Sequence, residues 1–179
     1  MDIDKSLVQL VDENDNPVGV MEKMEAHRNP HLHRAISIFI FNSKNEWLLQ
    51  QRADNKYHSQ GLWTNACCTH PYLGESYLDA AKRRLKEEMG MEANLIPIFH
   101  FIYKAKIDEE LTEYEYDQVF ISKTDELPVI NLDEVKDWKY VSYEALLNEM
   151  QLNPQHFTAW FKIIFERVNK QLLSIELTL

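Results

Sequence analysis

The most informative segment of the chain carries a thiol, an imidazole and a carboxylate, at Cys68, His70 and Glu88. If the chain around the thiol is extended, alternate side chains share a face, so Cys68 and His70 point together and Cys67 points away. Glu88 is predicted at the edge of the apolar stripe of a helix, where burying an unpaired carboxylate is costly. Metal ligation would offset that cost, and so would an ion pair with Arg84, one helical turn earlier. Such groups could exchange protons or bind a metal ion.

Two further clusters repeat the i, i+2 spacing. His31 and His33 precede an apolar run, with His27 upstream, and Glu113 and Glu115 alternate with tyrosines before another apolar run. Two carboxylates on one face of a strand repel each other unless a cation or a shared proton lies between them. Histidine and carboxylate together favour Zn²⁺ or Mn²⁺ over Ca²⁺. Strand carboxylates are often only solvent-facing, and some histidines could be incidental, but three clusters in one short chain favour a shared site.

The composition predicts a single domain, residues 1–179, with a full core, because 45% of its 179 residues are apolar. The net charge of −10 argues against nucleic acid or an anionic membrane as the main partner. No apolar run is long enough to span a membrane, and no secretory signal is visible. Two adjacent cysteines cannot build an ordinary disulfide framework, and reduced thiols indicate a cytoplasmic protein. An anionic substrate would need local cations, from a metal or from clustered Lys and Arg.

The elements that must position these groups follow from hydrophobic period and turn signals. Strands are predicted at 7–11, 18–21, 35–41, 47–52, 64–70, 95–105, 113–122 and 137–141, and helices at 76–89, 143–150 and 157–173. The strands at 35–41 and 47–52 are predicted to form a hairpin. Ser76 and Ser142 are placed to cap the first two helices. Strands in the middle and helices later indicate an α+β layered domain.

The segment from Thr69 to Met91 resembles a degenerate Nudix box, whose pattern is G-x5-E-x7-R-E-U-x-E-E-x-G-U. The residues that fit the pattern are Glu75, Arg83, Leu85, Glu87, Glu88, Gly90 and Met91. Two positions depart from it: Thr69 replaces the first glycine, and Arg84 replaces the glutamate of the R-E pair. In Nudix hydrolases these carboxylates gather Mg²⁺ on a diphosphate and help to activate water. A cation in place of one carboxylate weakens hydrolysis as the expected reaction but keeps diphosphate binding plausible.

A wider set of motifs, TNACCTHP, GES, EAH…HLH and EYE, resembles the type I isopentenyl diphosphate:dimethylallyl diphosphate isomerase family from about Leu7 to Trp160. The resemblance implies an α+β fold, a Nudix-like mixed β-sheet sandwiched between helices. It also implies a small-molecule prenyl diphosphate substrate, a place in isoprenoid biosynthesis, and a monomer.

The resemblance further implies the residues of the site. One Mn²⁺, Zn²⁺ or Mg²⁺ would be held by His27, His33, His70, Glu113 and Glu115. A second ion, Mg²⁺, would arrive with the substrate diphosphate and bind Glu88 and the backbone carbonyl of Cys68. The implied catalytic residues are Cys68, Glu115 and Tyr103. Diphosphate contacts would come from Lys23, Arg52, Lys56 and Arg84, and Trp160 would stabilise a carbocation, with plain core packing as its alternative.

Two rival functions share part of this pattern. A Nudix-type diphosphate hydrolase would use Glu75, Glu87 and Glu88 but has no need of Cys68 or Glu115. A metal-stabilised binding module would use the His/Glu cluster structurally, which leaves no reason for a thiol facing the metal.

Overall fold

The computed structural model describes residues 4–176 and shows one mixed sheet of nine strands between helices. The strands are β1 (Leu7–Val11), β2 (Pro17–Glu22), β3 (His33–Phe41), β4 (Trp47–Arg52), β5 (Trp63–Thr64), β6 (Cys67–Thr69), β7 (Ile96–Lys106), β8 (Thr112–Lys123) and β9 (Val135–Val141). The helices are α1 (Lys23–Arg28), α2 (Tyr77–Met89), α3 (Tyr143–Leu152) and α4 (Ala159–Glu176), with a short 3-10 helix at Pro154–His156. This architecture confirms the predicted α+β class.

Strand β3 is the centre of the sheet because four other strands pair with it. It runs parallel to β8 along its whole length, from His33 opposite Glu115 to Phe41 opposite Lys123. Its other edge is shared in turn by β1, β6 and β4. The predicted hairpin of β3 and β4 is therefore paired only at Phe41 and Trp47, since β6 occupies the middle of that edge and β4 pairs mainly with β9.

The two faces of β3 bury different cores. Phe39 and Phe41 lie in a cluster with Phe161 and Phe165 of α4, on one face of the sheet. The intervening isoleucines lie in a second cluster with the small and apolar residues of α2, on the other face. Since both faces are covered, the strand reads as a continuous apolar run rather than an alternating one.

Helix α2 begins and ends at residues that the sequence marks. The Ser76 side chain accepts a hydrogen bond from the Asp79 backbone N–H, and Gly90 adopts φ 63° just past the last turn. Both are typical helix-end signals. The six-residue helix α1, by contrast, was not predicted, because so short a segment cannot display a helical repeat. None of the helices described between residues 4 and 176 is long and apolar enough to cross a membrane.

Candidate active site

A cavity of about 460 Å³ collects most of the predicted site residues from four strands, three helices and two connecting segments. Eleven of them line it: Lys23, Arg52, Lys56, Cys68, His70, Arg84, Glu88, Tyr103, Glu113, Glu115 and Trp160. The other two, His27 and His33, are fully buried and lie against Glu115. The structure therefore brings together residues that are far apart in the chain.

Strand register explains this convergence. In the sheet, Glu115 of β8 has Tyr103 of β7 on one side and His33 of β3 on the other. Ser37 follows His33 by four residues on β3 and lies opposite Cys68 of β6. Because alternate residues of a strand share a face, the thiol, the imidazole and the carboxylates all project towards α4.

Four predicted ligands form a compact group: the ligand atoms of His27, His33, His70 and Glu115 all lie within 4.8 Å of one another. Glu115 Oε1 is 3.0 Å from His70 Nε2, 3.7 Å from His33 Nε2 and 3.9 Å from His27 Nε2. The Nδ1 atoms of His27 and His33 lie 2.6 Å and 2.8 Å from backbone carbonyl oxygens. Carbonyls that hold Nδ1–H leave Nε2 as the ligand atom, as in many metal sites.

Burial governs the protonation of this group. It lowers the pKa of His33 to about 3, and it lowers that of His27 as well, with the nearby His70 adding to both shifts. Both imidazoles are therefore neutral at pH 7 and present a lone pair to the carboxylate. The fully buried Nε2 of His27 has no hydrogen-bond partner. A divalent cation would satisfy that atom, so these residues fit a metal ion.

Glu113 and Glu115 are joined through Tyr103. The Tyr103 hydroxyl lies 2.6 Å from Glu115 Oε2 and 3.0 Å from Glu113 Oε2. Burial, together with the charge of Glu115, raises the pKa of Glu113. Burial alone would also raise the pKa of Glu115, but its hydrogen bond to His70 and the other imidazoles bring it to about 2. Without a cation, Glu113 and Glu115 therefore keep one proton between them. A bound cation would allow both carboxyl groups to ionise.

The two cysteines lie on opposite faces, as the alternation predicts. Cys67 is completely buried in the α2 core, with Sγ 3.3 Å from Glu88 Oε2. Cys68 lines the cavity, with Sγ 3.2 Å from Asn65 Oδ1 and 3.7 Å from Ser37 Oγ. Burial raises the pKa of Cys68, so its resting form is the thiol.

Three polar residues around Cys68 were not predicted. The Ser37 hydroxyl donates to Asp117 Oδ2 at 2.6 Å, and Asn65 accepts from the thiol while its amide holds the backbone of β3 and β6. Burial raises the pKa of Asp117, as does the nearby Glu115. The signal for Asp117 was present in the sequence, because it continues the alternation of Glu113 and Glu115.

Arg84 and Lys56 lie at one end of the cavity, called here the cationic end, and both are paired with carboxylates. The Arg84 guanidinium lies 2.5 Å from Glu88 Oε1 and 2.6 Å from Glu134 Oε2. Lys56 contacts Glu134 and lies 3.6 Å from Glu88 Oε1. The ion-pair alternative for Glu88 is thus formed here. Glu134 was not predicted, since its loop carries no motif that links it to α2.

Unsatisfied polar atoms concentrate at this site. Within the described residues, four buried side-chain atoms have no hydrogen-bond partner: His27 Nε2, Arg52 Nε, Asp117 Oδ1 and Trp160 Nε1. Such atoms are rare in folded proteins and call for an explanation such as a bound ion, water or ligand. All four belong to the residues just described. The Arg52 guanidinium also lies 5.4 Å from the centre of the Trp160 ring, so that indole already has a cation beside it.

Known proteins are similar to this chain over most of its length. Residues 31–161 match the NUDIX domain. The chain is 52% identical over 161 residues to the isopentenyl-diphosphate Delta-isomerase of Pectobacterium atrosepticum, an alignment that covers 90% of each protein. It is 49% identical over 169 residues to the isopentenyl-diphosphate Delta-isomerase 2 of Photorhabdus laumondii, covering 94% of this chain and 95% of that one.

Solved structures show the same fold at lower identity. A Deinococcus radiodurans protein superposes with a TM-score of 0.68 at 21% identity, over 82% of this chain and 89% of that one. The MutT protein of Methanosarcina mazei superposes with a TM-score of 0.63 at 21% identity, over 78% and 94%. The domain match and the extent of identity to its relatives place the chain in the Nudix superfamily, where it belongs to the type I isopentenyl-diphosphate Delta-isomerase family.

Proposed function

We propose that this protein catalyses the reversible isomerisation of isopentenyl diphosphate to dimethylallyl diphosphate, a step of isoprenoid biosynthesis. The observation that carries the proposal is one cavity lined by a thiol, Cys68, by a carboxyl–phenol pair, Glu115 and Tyr103, and by cations. Moving a double bond by one carbon needs a proton donor and a proton acceptor at two carbons of one substrate. Cys68 and the Glu115–Tyr103 pair are the two groups.

The chemistry requires shielding from water. Protonation of the terminal alkene carbon forms a tertiary carbocation, and removal of a proton from the neighbouring methylene forms the new double bond. Since the reaction is reversible, each group donates in one direction and accepts in the other. The cation needs surroundings without nucleophiles, and the Trp160 ring is placed to stabilise it by cation–π attraction, in addition to packing in the core.

The diphosphate would bind at the cationic end, where Arg84 and Lys56 now contact Glu134 and Glu88. Lys23 and Arg52 also line the cavity. Burial lowers the pKa of Lys23, as do its cationic neighbours Arg84 and Lys56. An anionic ligand would relieve that mutual repulsion, and the binding energy gained there would hold the alkene in place.

The proposal includes divalent metal ions. One Mn²⁺, Zn²⁺ or Mg²⁺ at His27, His33, His70, Glu113 and Glu115 would offset the repulsion of the two glutamates and tune the proton affinity of Glu115. The second, Mg²⁺, would enter with the diphosphate at Glu88, since magnesium binds through few carboxylates plus phosphate oxygens. We further propose a single domain over residues 1–179, a monomer, and a cytoplasmic location, in keeping with two free cysteines.

The hydrolase alternative is less well supported by the geometry. Glu75 is held by two hydrogen bonds from the Arg83 guanidinium, at 2.8 Å and 2.9 Å. Glu87 contacts Arg83 and Arg84 at 3.2 Å. Neither glutamate lines the cavity, whereas Cys68 and Glu115, which hydrolysis would not need, both do.

Proton NMR of the alkene, with phosphorus NMR for released phosphate, tests the proposal directly. Purified protein is incubated with Mg²⁺, Mn²⁺ and isopentenyl diphosphate in heavy water. The expected result is the dimethylallyl isomer with deuterium incorporated and no released phosphate. An unchanged alkene with released phosphate would instead establish the hydrolase, and no reaction in metal-loaded protein would favour the binding module.

A further inference from the structure

A fourth histidine faces the predicted metal ligands. His58 lies in the loop between β4 and β5, is 5% exposed, and has Nε2 3.8 Å from Glu113 Oε1. The ligand atoms of His27, His58 and Glu113 form a second group within 4.8 Å of one another. The sequence clusters did not include His58, because it stands alone in a polar loop.

The loop fixes how His58 enters the cluster. Its backbone carbonyl accepts a hydrogen bond from Arg52 at 3.1 Å, and its ring packs edge-on against Trp160, with the centroids 5.8 Å apart. The ring also meets Tyr57 edge-on at 4.4 Å. The backbone hydrogen bond and the two ring contacts hold the imidazole beside Glu113.

The hydrogen bonding of His58 matches that of the predicted ligands. Its Nδ1 lies 3.1 Å from Ser59 Oγ, as the Nδ1 atoms of His27 and His33 lie beside carbonyl oxygens. The Ser59 hydroxyl oxygen can accept from Nδ1–H as those carbonyl oxygens do, and in that tautomer Nε2 carries the lone pair. The 3.8 Å separation from Glu113 exceeds the N–H···O hydrogen-bond distance of about 2.7–3.2 Å. A cation between the lone pair and the carboxylate would satisfy both groups.

The distances fit two ligands of one ion. Donors that each lie about 2.1 Å from an ion are at most about 4.2 Å apart, so 3.8 Å is compatible with shared coordination. The two groups share His27, whose Nε2 has one lone pair and can bind only one ion. The Tyr103 hydroxyl bridges Glu113 of one group and Glu115 of the other. Both groups would therefore supply ligands to one ion and not to two separate ions.

We infer that His58 is a ligand of the metal centre through Nε2, which completes a six-residue set of four imidazoles and two carboxylates. The inference rests on the proposed metal centre and extends it by one residue. Four imidazoles give the site a nitrogen-rich donor set, which favours Zn²⁺, Co²⁺ or Mn²⁺ over Mg²⁺. The two ions of the proposed function would then differ in their ligands. The nitrogen-rich site would hold the transition metal, and Mg²⁺ would bind at the diphosphate end.

Cobalt substitution tests the inference without relying on activity. Metal-free protein is loaded with Co²⁺, and the strongly shifted, exchangeable N–H resonances of ligated imidazoles are counted by proton NMR. Co²⁺ and Zn²⁺ affinities are measured by competition with a chelator. The variants are His58→Ala, His58→Asn as a milder change, His70→Ala as a loss of a proposed ligand, and His100→Ala as a control on the exposed edge of β7.

We expect both His58 variants to lose one shifted N–H resonance and at least tenfold in affinity, as His70→Ala does, while His100→Ala changes neither. If the resonance count and the metal affinity stay unchanged in folded His58→Ala or His58→Asn but fall in His70→Ala, His58 is not a ligand. The metal centre itself would still stand. Unchanged affinity in His70→Ala as well would overturn the metal centre on which the inference rests.

Discussion

At the scale of the residue, Cys67 and Cys68 show how neighbours of one type acquire different roles. A strand sends successive side chains to opposite faces, so one thiol enters the α2 core and the other enters the cavity. Cys67 packs between apolar residues and Glu88, whereas Cys68 also contacts two polar side chains, Asn65 and Ser37, that could orient it.

We predict that Cys68→Ala lowers kcat by at least about 10²-fold with metal content unchanged, because a positioned acid–base group contributes about 10²–10⁴-fold. Cys67→Ala should keep kcat within a few fold. The NMR assay measures kcat for both variants, and atomic emission measures their bound metal. Equal loss in the two variants would contradict the assignment of the faces.

The Ser37 hydroxyl lies between the Cys68 thiol and Asp117. We predict that Ser37→Ala lowers kcat about fivefold with little change in KM, because a polar contact that helps to orient the thiol contributes about 1 kcal/mol. Steady-state kinetics would separate the two constants. A lower melting temperature with unchanged kcat would mean that Ser37 only supports the fold.

The sequence shows the i, i+2 spacing of the titratable residues without a structure, and these residues gather at one cavity. The sequence could not reveal Ser37, His58 or Glu134. Ser37 stands in the apolar run of β3 and reads as core, and its neighbour Asp117 is brought to it only by the parallel pairing with β8. Glu134 becomes part of the site only through a contact between a loop and α2.

At the scale of the element, helix α2 carries the part of the Nudix box from Arg83 to Glu88. Its limits, its apolar stripe and its cap were predictable because helix-end signals are local. The short helix α1 and the pairing partners of β3 were not, because strand pairing depends on contacts between distant segments.

Gly90 is constrained both by its backbone and by its neighbours. It adopts φ +63°, and a Cβ there would lie 2.4 Å from the Val129 carbonyl oxygen. We predict that Gly90→Ala lowers the free energy of unfolding by about 2–4 kcal/mol. Gly19→Ala is the matched control, since its Cβ would meet Leu10 at an ordinary 3.7 Å. Urea denaturation measures both, and equal losses would contradict the proposed steric cause.

Glu75 joins the turn before α2 to the helix through Arg83. Burial would raise the pKa of Glu75, but the Arg83 hydrogen bonds lower it below the usual 4.5. A lowered pKa in the folded state stabilises the protein above the unfolded pKa, and this stability is lost as pH falls. We therefore predict that Glu75→Gln is less stable than wild type at pH 7, and that the difference shrinks below about pH 4.5.

Urea denaturation at pH 7 and pH 3.5 would test this dependence, with Glu109→Gln in the exposed β7–β8 turn as the control. A difference between wild type and Glu75→Gln that stays constant with pH would show that the Glu75 charge is not involved.

At the scale of the whole molecule, the proposed metal ligands come from α1, β3, the β4–β5 loop, the end of β6, and β8. An ion held by all of these would bind the folded chain and not the unfolded one. We predict that Zn²⁺ at a free concentration of 100 times its Kd raises the free energy of unfolding by about 2.7 kcal/mol, with a matching rise in Tm. A chelator should reverse it, and His70→Ala should respond far less; an equal response would argue against this site.

The parallel pairing of β3 with β8 also has a consequence for how the chain is made. During synthesis β3 emerges well before β8, and until then one edge of its AISIFIF run has no partner. An unpaired apolar edge is where strands of separate chains associate. The hairpins β1–β2 and β7–β8 close short loops and can form early, whereas the β3–β8 pair must wait for distant segments to meet. The step that completes the catalytic cavity is therefore also the step that ends the chain's exposure to aggregation.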